Sequence, residues 1–506
     1  MPAFRGLFRP ARFAGVLPSR RAAAGLGLAL LVAGCAVGPD YRTPEVAVPA
    51  GWDSAGPATP AAAPQLARWW RRLGDPQLDA LIAEAVAGNL DVATAKARIR
   101  EARAGVSQAG GALYPSIDGS GSATRQRSGS DSRGTEVSGQ FQAGFDASWE
   151  LDLFGANRRR LEAARYGLDA AAEDLRSTLL TLVGDVATNY VAARGFQARI
   201  AYARQTAASQ RETEALTRVK FEAGAVSGVD LANATGQASS TEADIPSLEA
   251  SYAEAVHRLG VLTGRPPAAL KARLAAPAPI PTPALPLPVG VPADLLRARP
   301  DVKLAERQLA QATAEIGAAE AARYPNLSLT GNLSTAAANV GDLGKSTSIS
   351  WVFGPTLSLP IFNAGQLAAA VEVEAAQRDQ SYLAFRSAVL TALEDVENAI
   401  VAFTQERQRY RSLQVAADSF REAARLARTL YQTGATDFLE VLDAERSLYG
   451  AEDALIQSRI AITTDYIALN KALGGGWDGA IDSSQPEIID VNTGPHFVST
   501  RKATPP

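Results

Sequence analysis

The side chains that most often carry chemistry are scarce in this sequence. Its 506 residues include two histidines, His257 and His496, and one cysteine, Cys35. Neither a Gly-x-Ser-x-Gly motif nor an HExxH motif occurs. The stretch GKST beginning at Gly344 is typical of the end of a phosphate-binding loop, but the position five residues earlier, where that loop needs glycine, holds Asn339. We therefore expect no enzymatic activity, no metal site and no cofactor.

Cys35 stands at the end of a secretory signal. Residues 1–34 contain five arginines and no acid, and the apolar run AAAGLGLALLVAG leads directly to the cysteine. Such a segment is too short to remain as a membrane-spanning helix. Its end, LVAGC, resembles the lipobox of bacterial lipoproteins, which implies that Cys35 becomes the lipidated first residue of the mature chain. The following Ala36, in place of an aspartate, favours sorting to the outer membrane.

The charge of the mature chain argues against a nucleic-acid partner. Removal of the five arginines of the signal takes the formal net charge from −3 to −8. No run of 18 or more apolar residues occurs elsewhere, so we expect no helix to cross a bilayer. Any crossing must then be made by β-strands.

Alternating apolar and polar residues predict strands with one apolar face. In residues 141–153, FQAGFDASWELDL, every second residue is apolar, and residues 349–361 repeat this parity. Weaker alternation follows the two Tyr-Pro pairs. We predict polar loops at residues 125–138 and 335–347, and strands at about 115–125, 139–153, 325–335 and 348–361.

The chain is an internal duplication with a spacing of about 210 residues. The segment from Leu90 matches the segment from Pro300, and the segment from Val219 matches that from Thr429. We divide the chain into a signal peptide (1–34), a lipidated N-terminal segment and collar (35–75), a first structural repeat (76–265), a Pro-rich link (266–293), a second structural repeat (294–476) and a loose C-terminal tail (477–506).

Long helices ending in tight hairpins fill the rest of each repeat. From Arg158 to about Glu222 there is no proline, and leucine recurs every seven residues from Leu161 to Leu182. About 65 helical residues span about 100 Å. In each repeat, a glycine followed by a capping pair predicts a helical hairpin at the end of the long helix. These residues are Gly224, Ser227 and Asp230 in the first repeat, and Gly434, Asp437 and Glu440 in the second.

Four strands cannot close a membrane barrel, because single-chain barrels begin at about eight strands and an open edge leaves backbone groups unpaired in lipid. The chain must therefore oligomerise. A dimer gives eight strands, whose interior side chains would largely fill the barrel, whereas a trimer gives 12 and leaves room for a duct. The long helices would continue such a barrel as a tube on one side of the membrane.

Several motifs in a fixed order resemble the outer-membrane factor (TolC-like) family, specifically the NodT-type lipoprotein branch that serves tripartite RND efflux systems. They cover nearly all of residues 35–477: AGCAVGPDY (33–41), WWRRLGDPQLDALIAEA (69–85), WELDLFG (149–155), LPVGVPADLLRARPDV (287–302), RYPNLSLTG (323–331), LPIFNAG (359–365) and LNKALGGGW (469–477).

The resemblance implies a mixed α and β fold. Three chains, each giving four strands, would build a 12-stranded outer-membrane barrel, continued by a long periplasmic α-helical barrel with an equatorial collar. It implies an exit duct in the outer membrane that passes substrates passively. The implied partners are two further copies of the chain, a periplasmic adaptor protein, an RND-type inner-membrane transporter and outer-membrane lipid.

The resemblance also implies an iris-like gate at the periplasmic end. Its constriction would involve Leu439 and Asp443, which lie four residues apart on one helix face, and Tyr431 in the preceding helix. Asp230 is the corresponding candidate in the first repeat. Where a relative has arginine before the tyrosine, this chain has Leu430. An exposed, solvated acid is the simplest alternative for Asp443.

The hairpin tips would be the docking points for the adaptor, because they are the distal ends of the helices. The residues concerned are Gly224, Ser227, Gly434 and Asp437. The alternative to a duct is a lipid-anchored coiled-coil structural lipoprotein without a channel. That alternative explains Cys35 and the helices but not the duplicated alternating strands.

Overall fold

A computed structural model describes residues 36–54, 66–130, 134–283, 299–477, 479 and 481–483. The predicted signal peptide, Cys35, part of the Pro-rich link and most of the C-terminal tail lie outside these residues. The chain forms two compact units, and each takes segments from both repeats. The strand unit is the described part of Met1–Tyr41, Val106–Ala164 and Gln311–Arg378, and the helix unit is that of Arg42–Gly105, Arg165–Ala310 and Asp379–Pro506.

The helices reproduce the duplication seen in the sequence. The described helices of more than ten residues are α1 Pro76–Gly88, α2 Leu90–Gly111, α3 Ala156–Glu222, α4 Gly228–Leu262, α5 Pro300–Ala321, α6 Gln366–Thr433 and α7 Phe438–Ala472. After α1 they come in pairs of equal or nearly equal length: α2 with α5 (22 residues each), α3 with α6 (67 and 68 residues) and α4 with α7 (35 residues each). Within the described residues, no helix combines the length and the apolar character needed to cross a membrane.

The strand unit contains one antiparallel sheet, in which the four predicted strands follow one another in chain order. Its strands are β1 Ser116–Ser130, β2 Gly134–Glu150, β3 Asn326–Ala337 and β4 Ile349–Ser358. Because β2 and β3 are the inner strands, β1 and β4 each have a neighbour on one side only within the described chain. The sheet therefore has two open edges.

The register sorts apolar and polar side chains onto opposite faces of the sheet. Phe145 lies opposite Leu333, which in turn lies opposite Trp351, and residues that are directly paired project from the same face. Trp351 is 76% exposed. On the other face, Asn332 Nδ2 donates to Asp146 Oδ1 over 2.8 Å. One face of this small sheet is thus exposed and apolar, and the other carries polar contacts.

The strand ends differ from the prediction. The predicted loop at 125–138 is mostly strand, because the backbones of Arg125–Ser130 and Gly134–Gly139 pair directly although the sequence there does not alternate. β2 ends at Glu150 rather than Leu153. Asp152 turns the chain with a φ of 30° and accepts hydrogen bonds from the backbone N–H groups of the first turn of α3. β4 stops at Ser358 rather than 361.

The main core of the helix unit surrounds a group of aromatic side chains. Trp69 begins a short 3₁₀ segment, Trp69–Leu73, and meets Trp70 and Tyr466 edge to face at 6.0 and 5.7 Å between ring centroids. Tyr466 donates its hydroxyl hydrogen bond to the Trp69 carbonyl over 3.0 Å. This end of the predicted collar segment is therefore buried against α7.

Candidate functional site

The two hairpin tips close with the same backbone geometry. Gly224 and Gly434 adopt φ values of +73° and +79°, the left-handed region that glycine enters without a steric penalty. Beyond each glycine an alanine N–H reaches back to the last helical turn: Ala225 donates to the Lys220 carbonyl and Ala435 to the Leu430 carbonyl, both over 2.8 Å. These contacts terminate α3 and α6 as Schellman motifs.

Capping side chains restart a helix after each tip. Ser227 and Asp230 form a capping box at the start of α4, in which the Asp230 carboxylate accepts from the Ser227 N–H over 2.9 Å. Asp437 begins α7 by accepting from the Glu440 N–H over 3.2 Å. The sequence pattern thus identified both turns. Asp230, the first-repeat gate candidate, is held in the cap of its own helix.

A small apolar cluster packs the two hairpins together near their tips. Tyr431 at the end of α6 is 2% exposed, and its ring meets that of Phe438 edge to face at 5.8 Å. Ala234 from α4 and two residues of α7, Val441 and Leu442, complete the buried cluster. Tyr431 therefore belongs to the packing between hairpins and does not line an exposed surface.

Three polar contacts bind Tyr431 to the end of α3. The ammonium of Lys220 lies over the Tyr431 ring, 3.8 Å from its centroid, and also donates to the Tyr431 carbonyl. The Tyr431 hydroxyl shares a 3.1 Å hydrogen bond with the Thr217 hydroxyl. We call this group of Thr217, Lys220 and Tyr431 the α3–α6 clasp.

No local motif marks Lys220, although the duplication contains a signal for it. Aligning Gly224 with Gly434 pairs Lys220 with Leu430, the position where the expected base is missing. The base stands instead in the other repeat, and the fold brings it to Tyr431. No residue pattern within one hairpin could have shown this contact.

The nearest arginines of the second repeat are engaged inside the same chain. Arg428 Nε lies 2.7 Å from the Glu445 carboxylate, whose side chain is 3% exposed and also accepts from the Thr213 hydroxyl over 3.2 Å. Arg425 pairs with Glu422 one helical turn away over 2.7 Å. Glu445 therefore joins α3, α6 and α7 just behind the tips.

The remaining two gate candidates are exposed on one face of α7. Leu439 is 57% exposed. Asp443, one turn further, is also exposed and forms no ion pair with any residue that the structure describes. This face of α7 therefore presents an apolar side chain and an unpaired acid side by side. Cys35, the predicted lipidation site, lies outside the described residues.

The geometry defines a class of protein. A four-stranded sheet with an exposed apolar face and two open edges, in a chain whose paired helices of 67 and 68 residues end in matching hairpins, is that of an outer-membrane channel subunit. Comparison with family models agrees, because residues 81–265 and 291–475 match the family described as outer membrane efflux protein. The chain belongs to this family.

Similarities to individual curated proteins and to a solved structure support the same family. The chain is 36% identical over 451 residues to Nodulation protein T of Rhizobium leguminosarum bv. trifolii, covering 89% of this chain and 96% of that protein. It is 33% identical over 461 residues to a toluene efflux pump outer membrane protein, TtgC, of Pseudomonas putida, covering 89% and 94%. The outer-membrane channel OprN superposes with a TM-score of 0.81 at 34% identity, covering 88% of this chain and all of that one.

These findings confirm the fold class, the location and the general function predicted from the sequence. The chain has the fold of the TolC-like outer-membrane channels. It is an exit duct of efflux pumps in the outer membrane, with its helical body in the periplasm.

Proposed function

We propose that three copies of this chain form a passive duct that receives substrates from a periplasmic adaptor and an RND-type inner-membrane transporter and releases them outside the cell. The observation that carries the proposal is the sheet with two open edges and an exposed apolar face. Backbone groups at an edge must be paired in lipid, so β1 of one copy would pair with β4 of the next until 12 strands close.

The adaptor would dock at the hairpin tips. Gly224, Ser227, Gly434 and Asp437 are exposed, and their turns repeat the same backbone contacts in both hairpins. Three chains would therefore offer six similar tips in a ring. This repetition supports a partner that binds several equivalent sites rather than one.

The gate would be formed where the α7 faces of three chains converge. Leu439 and Asp443 are the exposed residues of that face near the tip. Three Asp443 carboxylates around one axis repel one another, and their combined charge attracts cations. The clasp is in position to hold each α6–α7 hairpin against its α3–α4 neighbour while the gate is closed.

Cys35 would anchor the chain by lipidation after the signal is removed. The anchor would add membrane affinity to that of the barrel. The substrates are proposed to be organic compounds rather than soft metal ions. Met1 is the only methionine, so the mature chain has no thioether ligands for copper or silver.

Reconstitution in a planar bilayer tests the duct against a structural lipoprotein. The purified protein should give stepwise ionic currents. Thr330→Pro is the matched control, because it removes a backbone N–H in the middle of the inner strand β3 and should prevent insertion. A coiled-coil spacer anchored only by lipid predicts no current from either protein, and that result would reject the duct.

A further inference from the structure

The described chain begins with a segment that is bound closely to the strand unit. Val37 donates its backbone N–H to the Phe154 carbonyl over 3.1 Å, beside the turn that leads into α3. The next residue, Gly38, has a φ of +88° and so turns the chain in a way that residues with a Cβ rarely adopt. A loosely attached leader would need neither this hydrogen bond nor this backbone conformation.

Most of the hydrogen-bond partners of the Arg159 side chain, on α3, lie in this segment. The residue is 5% exposed, and its guanidinium donates to the Val37 carbonyl over 3.1 Å and to the Gly38 carbonyl over 3.2 Å. It also pairs with the Asp40 carboxylate over 2.8 Å and with Glu162 over 2.8 Å. A buried arginine is costly unless its charge and its donors are satisfied, and here the N-terminal segment supplies three of the acceptors.

Glycines let the segment approach this closely. A Cβ on Gly155, whose φ is +84°, would lie 2.7 Å from the Cβ of Ala36. A Cβ on Gly38 would lie 2.4 Å from the Cα of Gly317, and a Cβ on Gly317 would lie within 2.9 Å of the Arg159 side chain. The distances at Gly155 and Gly38 are too short for carbon atoms and both residues have a positive φ, so these two positions require glycine, whereas a side chain at Gly317 would displace the Arg159 side chain.

We propose that Gly155, Arg159 and Gly317 form a binding site, the N-terminal seat, that receives the segment Ala36–Asp40 and thereby fixes where the lipid anchor enters the membrane. The inference rests on the proposed lipidation of Cys35. Five unbound residues would let the anchor range over about 17 Å, whereas a seated Ala36 restricts it to the reach of one residue, about 3.8 Å. The seat thus gives the anchor a defined position beside the end of β2.

Hydrogen–deuterium exchange of the purified full-length protein tests the seat directly. In the unsubstituted protein the Val37 amide should be protected, because it is bonded to Phe154. Arg159→Met keeps the length of the side chain but removes its donors, and should speed exchange of peptides covering residues 36–41 by about tenfold or more. Asp40→Ala removes one exposed acceptor, cannot disturb a core, and should give a smaller acceleration of about threefold.

The matched control is Arg323→Met. Arg323 lies in the same unit, is about half exposed and pairs with Glu320 one turn away, so exchange at residues 36–41 should stay within about twofold of the unsubstituted protein. An intact mass of each sample reports acylation separately. An unprotected Val37 amide in an acylated protein, or equal exchange in all the variants, would overturn the seat. A protein without the acyl mass would overturn the lipid anchor itself, and with it the placement of the anchor by the seat.

Discussion

We expect the α3–α6 clasp to stabilise the closed state of the proposed gate. Lys220→Met removes the ammonium but keeps a side chain of similar length against the Tyr431 ring. In the proposed gate, opening would move the α6–α7 hairpin relative to the α3–α4 hairpin, and the clasp joins α3 to α6. The substitution should therefore favour the open state.

The magnitude follows from the contacts that are lost. A partly exposed cation–π contact contributes about 1 kcal/mol, and a hydrogen bond from a charged donor contributes at least about 1 kcal/mol net. Together they amount to about 2 kcal/mol per chain, which is a shift of about thirtyfold for each chain in the closed-to-open equilibrium. Tyr431→Phe removes only the hydrogen bond to Thr217 and should shift it about fivefold.

Single-channel recording in planar bilayers measures the shift as time spent in the higher conductance state. Arg218→Met is the matched control. Arg218 is a cation in the same turn of α3 as Lys220, but it pairs with Glu214 rather than with Tyr431. We expect Lys220→Met to exceed Tyr431→Phe, and Arg218→Met to resemble the unsubstituted channel. If Lys220→Met behaves like Arg218→Met, the clasp does not control the gate.

Three other predictions concern the gate, the tips and the strand unit. Leu439→Ala combined with Asp443→Ala should raise single-channel conductance by widening the constriction and removing its charge; unchanged conductance in the single and double variants would exclude these residues from the gate. Gly224→Val or Gly434→Val should abolish efflux in cells while leaving channel conductance intact, because each places a branched side chain at a positive φ on a docking tip; normal efflux would argue against docking there. Burial and a neighbouring acid raise the pKa of Glu315 above its ordinary value, so the folded state binds the proton of this carboxyl more tightly than the unfolded state does. The folded state therefore loses stability as the pH rises from the ordinary glutamate pKa through the raised one. Glu315→Gln should therefore raise the unfolding temperature at pH 7 and give no gain well below the ordinary glutamate pKa of about 4.3; an equal gain at both pH values would exclude ionisation as the cause.

The alternation of apolar and polar residues predicted that the strands exist, but not where each of them ends. The apolar residues of β2, such as Phe145, stand at every second position, so the strand and its exposed face could be identified before any pairing was known. The outer part of β1, from Arg125 to Ser130, has no apolar residue in its sequence. Only the backbone pairing with Gly134–Gly139 makes it a strand, and side-chain patterns do not report backbone pairing.

The hairpin tips were predictable because their chemistry is local. Glycine at the end of a helix and a capping pair three residues later act within one turn, and both tips have the expected geometry. The environment of Tyr431 was not predictable in the same way. Its partners Thr217 and Lys220 lie more than 200 residues away, so its burial depends on how two hairpins from different repeats pack.

The N-terminal seat was missed for a related reason. Arg159 stands among three consecutive arginines at the start of α3, which look alike in the sequence. Burial separates them, because Arg159 is enclosed by the segment Ala36–Asp40 whereas Arg158 remains more exposed and binds Asp152. A contact between residues about 120 positions apart leaves no periodic signal.

The central proposal is that three chains complete one membrane duct. Native mass and particle images of the protein, extracted from outer membranes in mild detergent, test it most directly. We predict a three-chain assembly with a detergent belt around the strand units and a helical tube extending from one side. A monomer, or an assembly without a belt, would contradict the account, because the open edges of β1 and β4 would then have no partner in the membrane.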